Sequence, residues 1–365
     1  MPGGTMRAAV LHGRDDLRIE PRPVPEPGPG EVLVEVSHCG VCGSDLHMVM
    51  DGWGRPGSIG GHEWSGRVAA VGPETARLSV GDAVVGGPTP GCGSCPACRE
   101  GRTSRCAHRA TPGTEDTSGA FADFVCADER SLVPVPHGLD LRTAALAEPL
   151  AVALHAVNRA AVAPGQRVLV AGAGPVGALV ILALRARGVE DIVVSEPNPG
   201  RQKLATQLGS GSVVAVAPDE LDVPSVVEPA RIVDGPVDVA LECSGRAAAM
   251  EAACGQLRVG GRLVLVGAGM EAPRFDPNRI LLNELEVTGA FEYDPGGVAE
   301  AVDLLAAGGP EVGLAVDVLV EPDDIGLDGL LDAMRGLVAG SIAGKVLVDP
   351  RSGGFGSFDS LPEEP

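Results

Sequence analysis

Nine cysteines and seven histidines stand among 365 residues, and their spacing is uneven. Cys92, Cys95, Cys98 and Cys106 follow the pattern C-x2-C-x2-C-x7-C, with Gly91, Gly93 and Pro96 supplying turn chemistry around them. Four thiolates close a tetrahedral shell around Zn²⁺ and leave no position for a substrate, so a zinc here is expected to be structural. An iron–sulfur cluster is the chemical rival, because C-x2-C-x2-C also opens ferredoxin runs. Upstream lie two further groups, one running from Cys39 through Cys42, Ser44 and Asp45 to His47, the other Gly61, His62, Glu63 and Trp64. A catalytic zinc needs a few N, S or O ligands and one open position, which a thiolate, an imidazole and a carboxylate from different loops would supply. Read alone, the Cys39-x2-Cys42 pair equally fits a redox dithiol, and His62 an ordinary polar residue.

A second chemistry is written in Gly172, Gly174, Pro175, Val176 and Gly177, the pattern G-x-G-x-x-G placed after the apolar run 168–171 and before a helical segment. In that context the glycines allow a tight turn and close approach of a pyrophosphate to a helix N-terminus. Glu196 lies 19 residues past Gly177, near the acidic position expected to meet a ribose hydroxyl, and a carboxylate there repels a 2′-phosphate. NAD is therefore expected over NADP. Arg201 is the counterweight, since a nearby cation can hold that phosphate.

The elements that must position these groups change character along the chain. Residues 6–11, 31–36, 66–71, 82–85 and 122–126 read as short strands separated by Gly and Pro clusters, with a Pro-rich connector at 22–30. From about residue 142 the rhythm changes. A helix is predicted over 142–161, then buried parallel strands at 166–170, 191–194, 237–242 and 262–266 alternate with helices at 176–187, 201–208 and 246–257. Residues 297–307 and 327–339 read as helices, and 344–348 as a last strand that could return to the first domain. The expected fold is α/β: a doubly wound parallel sheet at 154–291, a β-rich domain from 1–153 together with 292–349, and a disordered tail at 350–365.

Composition narrows the partners. Lys and Arg number 28 against 49 Asp and Glu, a net charge of −21 that repels nucleic-acid phosphates and anionic lipids. The one long apolar stretch, 168–186, is broken by glycine and proline, so no membrane span is expected. The opening residues lack the zones of a secretory signal, and the cysteines are better read as metal ligands, nucleophiles or core fillers than as disulfides; a cytoplasmic location is expected.

Together these segments resemble the medium-chain zinc-dependent alcohol dehydrogenase family, over about residues 6–349, and in particular its polyol, butanediol and threonine dehydrogenase branch. The resemblance implies a GroES-like, partly open barrel carrying the zinc sites beside a Rossmann domain. It maps the catalytic zinc onto Cys42 and His62, with Glu63 following by the same motif. The segment Glu148-Pro149-Leu150-Ala151-Val152-Ala153-Leu154-His155 matches the branch's E-P-L-x-V-x-x-H, making Glu148 a direct or water-mediated ligand; as a bare sequence feature it is a helix-start charge. Ser44 and His47 resemble the family's proton relay, and Asp45 a carboxylate that orients a ligand. Val266, Gly267, Ala268, Phe291 and Tyr293 match segments that flank nicotinamide, although Glu292 stands where sorbitol dehydrogenases resemble F-R-Y, which puts sorbitol itself in doubt.

The implied activity is hydride transfer between NAD and a secondary alcohol, diol or sugar-like polyol, with two Zn²⁺ per subunit, a small-molecule substrate and a homodimer or homotetramer. Two rivals remain at this level: a noncatalytic NAD-binding sensor that switches Cys39 and Cys42, and a zinc-free quinone or enoyl reductase of the same superfamily.

Overall fold

The computed structural model describes residues 4–87, 91–108, 119–308 and 316–352. It forms two units, one of Met1–Pro90, Ala110–Leu146 and Val320–Pro365, the other of Gly91–Arg109 and Ala147–Leu319. In chain order the first part gives β1 (Thr5–Gly13), β2 (Asp16–Pro23), β3 (Glu31–Gly40), α1 (Gly43–Met50), β4 (Glu63–Val71) and β5 (Ala83–Gly86). After α2 (Pro96–Arg99) in the four-cysteine segment come β6 (Phe124–Asp128), β7 (Val133–Pro134) and α3 (Leu141–Ala144).

The second unit continues with α4 (Ala147–Ala160), β8 (Arg167–Ala171), α5 (Pro175–Ala186), β9 (Asp191–Ser195), α6 (Pro199–Gly209) and β10 (Val213–Val216). Then follow β11 (Val237–Glu242), α7 (Ala247–Gly255), β12 (Leu257–Leu265), α8 (Pro277–Leu282), β13 (Glu286–Gly289), α9 (Gly297–Ala307) and α10 (Val316–Leu319). The chain closes in the first unit with α11 (Leu330–Ala339) and β14 (Leu347–Val348).

In the first unit β1 and β2 form an antiparallel hairpin, and the larger sheet runs β14-β3-β4-β5-β7, with β6 also on β3. Strand β3 pairs antiparallel with β4, β6 and β14. Val32, Val34 and Val36 point into a core shared with Ala8, Val10 and Phe121; Leu33 is buried as well, and Glu35 alone in β3 is exposed, as suits a strand paired on both edges. Packing is aliphatic, as so few aromatic residues require. Among the described residues Phe121 is the one aromatic side chain among the largest that are wholly buried.

The second unit is a six-stranded parallel sheet in the order β10-β9-β8-β11-β12-β13. Val168, Leu169 and Val170 are all wholly buried, as are Ala240 and Leu241, because helices cover both faces of a parallel sheet. Order reverses between β8 and β11, and the crevice at such a switch point is where open α/β sheets take ligands.

Several elements differ from expectation. The helix predicted over 142–161 breaks at Ala145 and Leu146 into α3 and α4, and Pro149 falls in the first turn of α4, where its missing N–H costs nothing. Strand β12 starts at Leu257 rather than 262, and the closing strand shrinks to Leu347–Val348. Strands β10 and β13 went unread because each is only four residues long; β2 went unread although Leu17 and Ile19 alternate with Asp16, Arg18 and Glu20, because it ends in the Pro-rich stretch and none of its residues is buried. The tail beyond residue 352 lies outside the described residues.

Candidate active site and metal centres

Backbone register, more than sequence distance, assembles the first centre. Gly40 at the end of β3 pairs with Glu63 at the start of β4, and with Leu347 of β14 on its other side. The chain then turns through Val41 into α1, whose N-cap is Cys42 with extended backbone. Gly61 holds φ at +92°, and a Cβ there would lie 2.8 Å from both Cys39 Sγ and the Phe121 amide, so this turn into His62 requires glycine. As a result one ligand atom each from Cys42, His62 and Glu63 lies within 4.8 Å of the others.

Glu63 is wholly buried, and its Oε1 has no hydrogen-bond partner among the described residues. An orphaned carboxylate oxygen beside a sulfur and an imidazole is a poor arrangement for a bare protein and a good one for a divalent cation. Asp45, also buried, accepts from the Cys42 amide through Oδ2 at 2.9 Å and turns Oδ1 toward His62 Nδ1 at 3.7 Å. Burial raises its carboxyl above the usual range, against the pull of His62. A carboxylate behind a ligating imidazole fixes its orientation.

Ser44 Oγ lies 3.4 Å from His62 Nε2. His47, one turn along α1, bonds Asp51 through Nδ1 at 2.6 Å and stacks on Trp53 with ring centroids 4.7 Å apart. No hydrogen bond joins Ser44 to His47 among the described residues, so the two relay groups stand on one helix without touching. Cys39 is buried, and desolvation pushes its thiol well up, helped by Asp45 and Glu63. A thiol so protonated is a poor partner for a dithiol switch.

The four-cysteine centre is local to the second unit. Cys92 Sγ lies 4.0 Å from Cys98 Sγ, and Cys95 Sγ 4.0 Å from Cys106 Sγ. Zn–S bonds of about 2.3 Å put tetrahedral sulfurs about 3.8 Å apart, so the cage has the span of a zinc shell. The amides of Cys95, Cys98, Cys92 and His108 point at the sulfurs of Cys92, Cys95 and Cys106 over 3.3–3.5 Å. The Ser94 hydroxyl, then the Ser94 and Cys95 amides, bring the Cys92 thiol down to about 5, whereas desolvation lifts Cys98 to about 12. The surroundings favour the thiolate at Cys92 and oppose it at Cys98.

Gly172 takes φ +94° after β8, and a Cβ at Gly177 would overlap the Gly172 carbonyl, so the turn closes only on glycine. Gly174 caps α5 and Pro175 occupies its first position, with Val176 next. Glu196, buried, accepts from the Ala173 amide at 2.7 Å and from the Asn198 amide at 2.9 Å. Its first duty is to tie β9 to the glycine turn, which the sequence did not disclose. Arg201 lies in the first turn of α6.

Val266 and Gly267 leave β12 with both amides on the Glu242 carbonyl, at 2.8 and 2.9 Å. With Ala268, Ala290 and Phe291 they line a cavity of about 360 Å³ that also touches His155 and Arg159. Arg159 reaches the Thr288 hydroxyl at 2.6 Å and the Gly289 carbonyl at 3.3 Å. Tyr293 is half-buried, and desolvation followed by the charges of Glu148 and Glu292 pushes its phenol well above the usual range. Glu148 lies buried in the first turn of α4.

One charged residue escaped the sequence reading. Lys345, 1% exposed, touches Glu63 Oε2 with its ammonium and donates to the Val41 carbonyl at 2.9 Å. The signal was available: a lysine inside the apolar run Ile342 to Val348 must be buried, and a buried ammonium needs an anion.

Two family models match the chain: the alcohol dehydrogenase GroES-like domain over residues 28–137 and the zinc-binding dehydrogenase model over 175–307. Sorbitol dehydrogenase of Bacillus subtilis (strain 168) is 34% identical over 314 residues, covering 83% of this chain and 86% of that protein. The crystal structure of 2R,3R-butanediol dehydrogenase from Bacillus subtilis superposes with TM-score 0.81 and 32% identity, over 95% of this chain and all of that one. A Sinorhizobium meliloti 1021 protein crystallised with NADP bound gives TM-score 0.81 at 30% identity, over 95% of this chain and 99% of that one. Among the described residues no helix is long and apolar enough to cross a membrane.

Proposed function

This chain belongs to the zinc-dependent medium-chain alcohol dehydrogenase family, in its polyol dehydrogenase branch, and we propose that it interconverts a secondary alcohol, diol or sugar-like polyol and the ketone, with NAD as hydride carrier. It is an NAD(P)-linked oxidoreductase acting on CH–OH groups. The observation that carries the reading is the convergence of Cys42, His62 and Glu63 around an unpartnered carboxylate oxygen.

In this reading Cys42, His62 and Glu63 hold the catalytic zinc, and Glu148 is a further carboxylate for it, direct or through water. Cys92, Cys95, Cys98 and Cys106 hold a second, structural zinc. When bound, the catalytic ion supplies Lewis acidity at the substrate oxygen. Ser44, beside His62, accepts the substrate's hydroxyl proton at Oγ. His47 carries it outward through Nε2, its Nδ1 being committed to Asp51, and a hydroxyl must bridge the step between them. The turn from Gly172 to Gly177 receives the pyrophosphate; Glu196, with Arg201 nearby, selects the unphosphorylated ribose; Val266, Gly267, Ala268, Phe291 and Tyr293 flank the nicotinamide.

We take the domains to be 1–153 with 292–349 and 154–291, and the location to be cytoplasmic, in keeping with nine free cysteines. Leu281, Leu282 and Val287 lie exposed around β13, the edge of the parallel sheet, and support assembly into a homodimer or homotetramer through that edge.

The deciding experiment joins metal analysis to a screen of alcohols and polyols with NAD and NADP. Two zincs per chain and faster reduction of NAD are expected. Cys42→Ala should abolish turnover while NAD binding persists; full activity in that variant overturns the assignment.

A further inference from the structure

The buried ammonium of Lys345 has no part in the relay or in cofactor binding, yet three strands are built around it. Pairing of β14 with β3 fixes Leu347 opposite Gly40, and the Val41 amide bonds the Val346 carbonyl at 3.1 Å, which leaves Lys345 beside Val41. Its Nζ then meets two acceptors: Glu63 Oε2 and the carbonyl of Val41, the residue before Cys42. Space for this contact depends on Gly40, where a Cβ would overlap Glu63 Oε2 and lie 2.8 Å from Lys345 Cε. A lysine loses much solvation on such burial, so it stays charged only because fixed anions face it.

We propose that Lys345 is a positioning residue of the catalytic metal centre: it clamps Glu63 through Oε2 so that Oε1 faces the ion, and steadies the backbone that presents Cys42. The proposal rests on the reading of Cys42, His62 and Glu63 as a metal site. One carboxylate oxygen belongs to the ammonium and the other to the metal. Without the ammonium, Glu63 is a buried anion with no fixed rotamer, and the ion loses an oriented ligand. Residues that orient a ligand from behind typically govern metal affinity by about 10- to 100-fold.

The test uses full-length, zinc-loaded protein and follows metal release to a chromophoric chelator, together with the visible absorption of the cobalt-substituted centre. Wild type should release two zincs in separable phases. Lys345→Met should speed one phase by at least about tenfold and shift the cobalt spectrum, with the four-cysteine phase unchanged; Lys345→Arg should restore much of both. Wild-type release and spectrum in Lys345→Met overturn the proposal. A single zinc in the wild type, held by the four cysteines, instead overturns the metal reading beneath it. If Lys345→Met does not fold, Glu63→Gln/Lys345→Met removes the unpaired charge: release matching Glu63→Gln alone supports the clamp, and a further tenfold acceleration contradicts it.

Discussion

Cys92, Cys95, Cys98 and Cys106 come from fifteen consecutive residues and gather around amides of their own loop, whereas Cys42, His62, Glu63 and Lys345 meet only because β4 and β14 pair with β3. The first cage offers four sulfurs and nothing else. The second mixes sulfur, imidazole and a carboxylate, buries a cation behind them, and sets a serine hydroxyl against the imidazole. A closed local cage suits permanent retention of an ion. A site shared between elements suits chemistry, because Cys42 at the start of α1 and the adjacent His62 and Glu63 at the start of β4 are held by separate parts of the sheet.

Breaking the distributed centre should have the largest effect. His62→Ala is expected to lower kcat/KM by about 10³-fold or more, the scale of losing several kcal/mol of charge stabilisation. Zinc should fall from two per chain to one while NAD still quenches or titrates normally; two retained zincs would refute the ligand assignment. Gly40→Ala tests the same centre by steric means alone. Its methyl displaces Glu63 and Lys345 without changing any ligand, so catalytic-site zinc affinity should drop by about 10- to 100-fold, read by competition with a chelator.

Breaking the local cage should do less to catalysis and more to stability. Cys95→Ser is expected to release the other zinc and lower the unfolding midpoint, with turnover per folded molecule nearly unchanged. A collapse of kcat would show that the two centres are not separable.

The smallest effect belongs to a control away from both. Arg142 and His38 hold the Asp324 carboxyl below its ordinary value of 3.8, outweighing the upward push of burial. With a depressed folded value, its stabilisation is complete above the unfolded value and is lost as pH falls through the folded one. Asp324→Asn should therefore flatten the acid limb of the stability profile below about pH 4, measured by denaturant titration, with both zincs retained.

What could be read beforehand follows the same division. The cage was legible because spacing and turn residues lie side by side in the chain. Cys42, His62 and Glu63 were legible as types, since metal chemistry restricts the choice of residue. The burial of Lys345 could be read from its apolar run, but its meeting with Gly40 and Glu63 could not, because Gly40 and Lys345 are 305 residues apart and are brought together by strand register, which a single sequence does not disclose. Glu196 was found as an acid near the nucleotide turn, but its bond to the Ala173 amide depends on how β9 lies against β8. The inner parallel strands stood out as continuous apolar runs; β10 and β13, the two edge strands, each only four residues long, did not.

The separation between Cys42 and Lys345 also has a meaning in time. A ribosome working at about 5 to 20 residues per second makes the interval between the two last roughly 15 to 60 seconds, while the span from Cys92 to Cys106 takes about 1 to 3. A growing polypeptide therefore contains all four sulfurs of the local group long before the residue that faces Glu63 has been made.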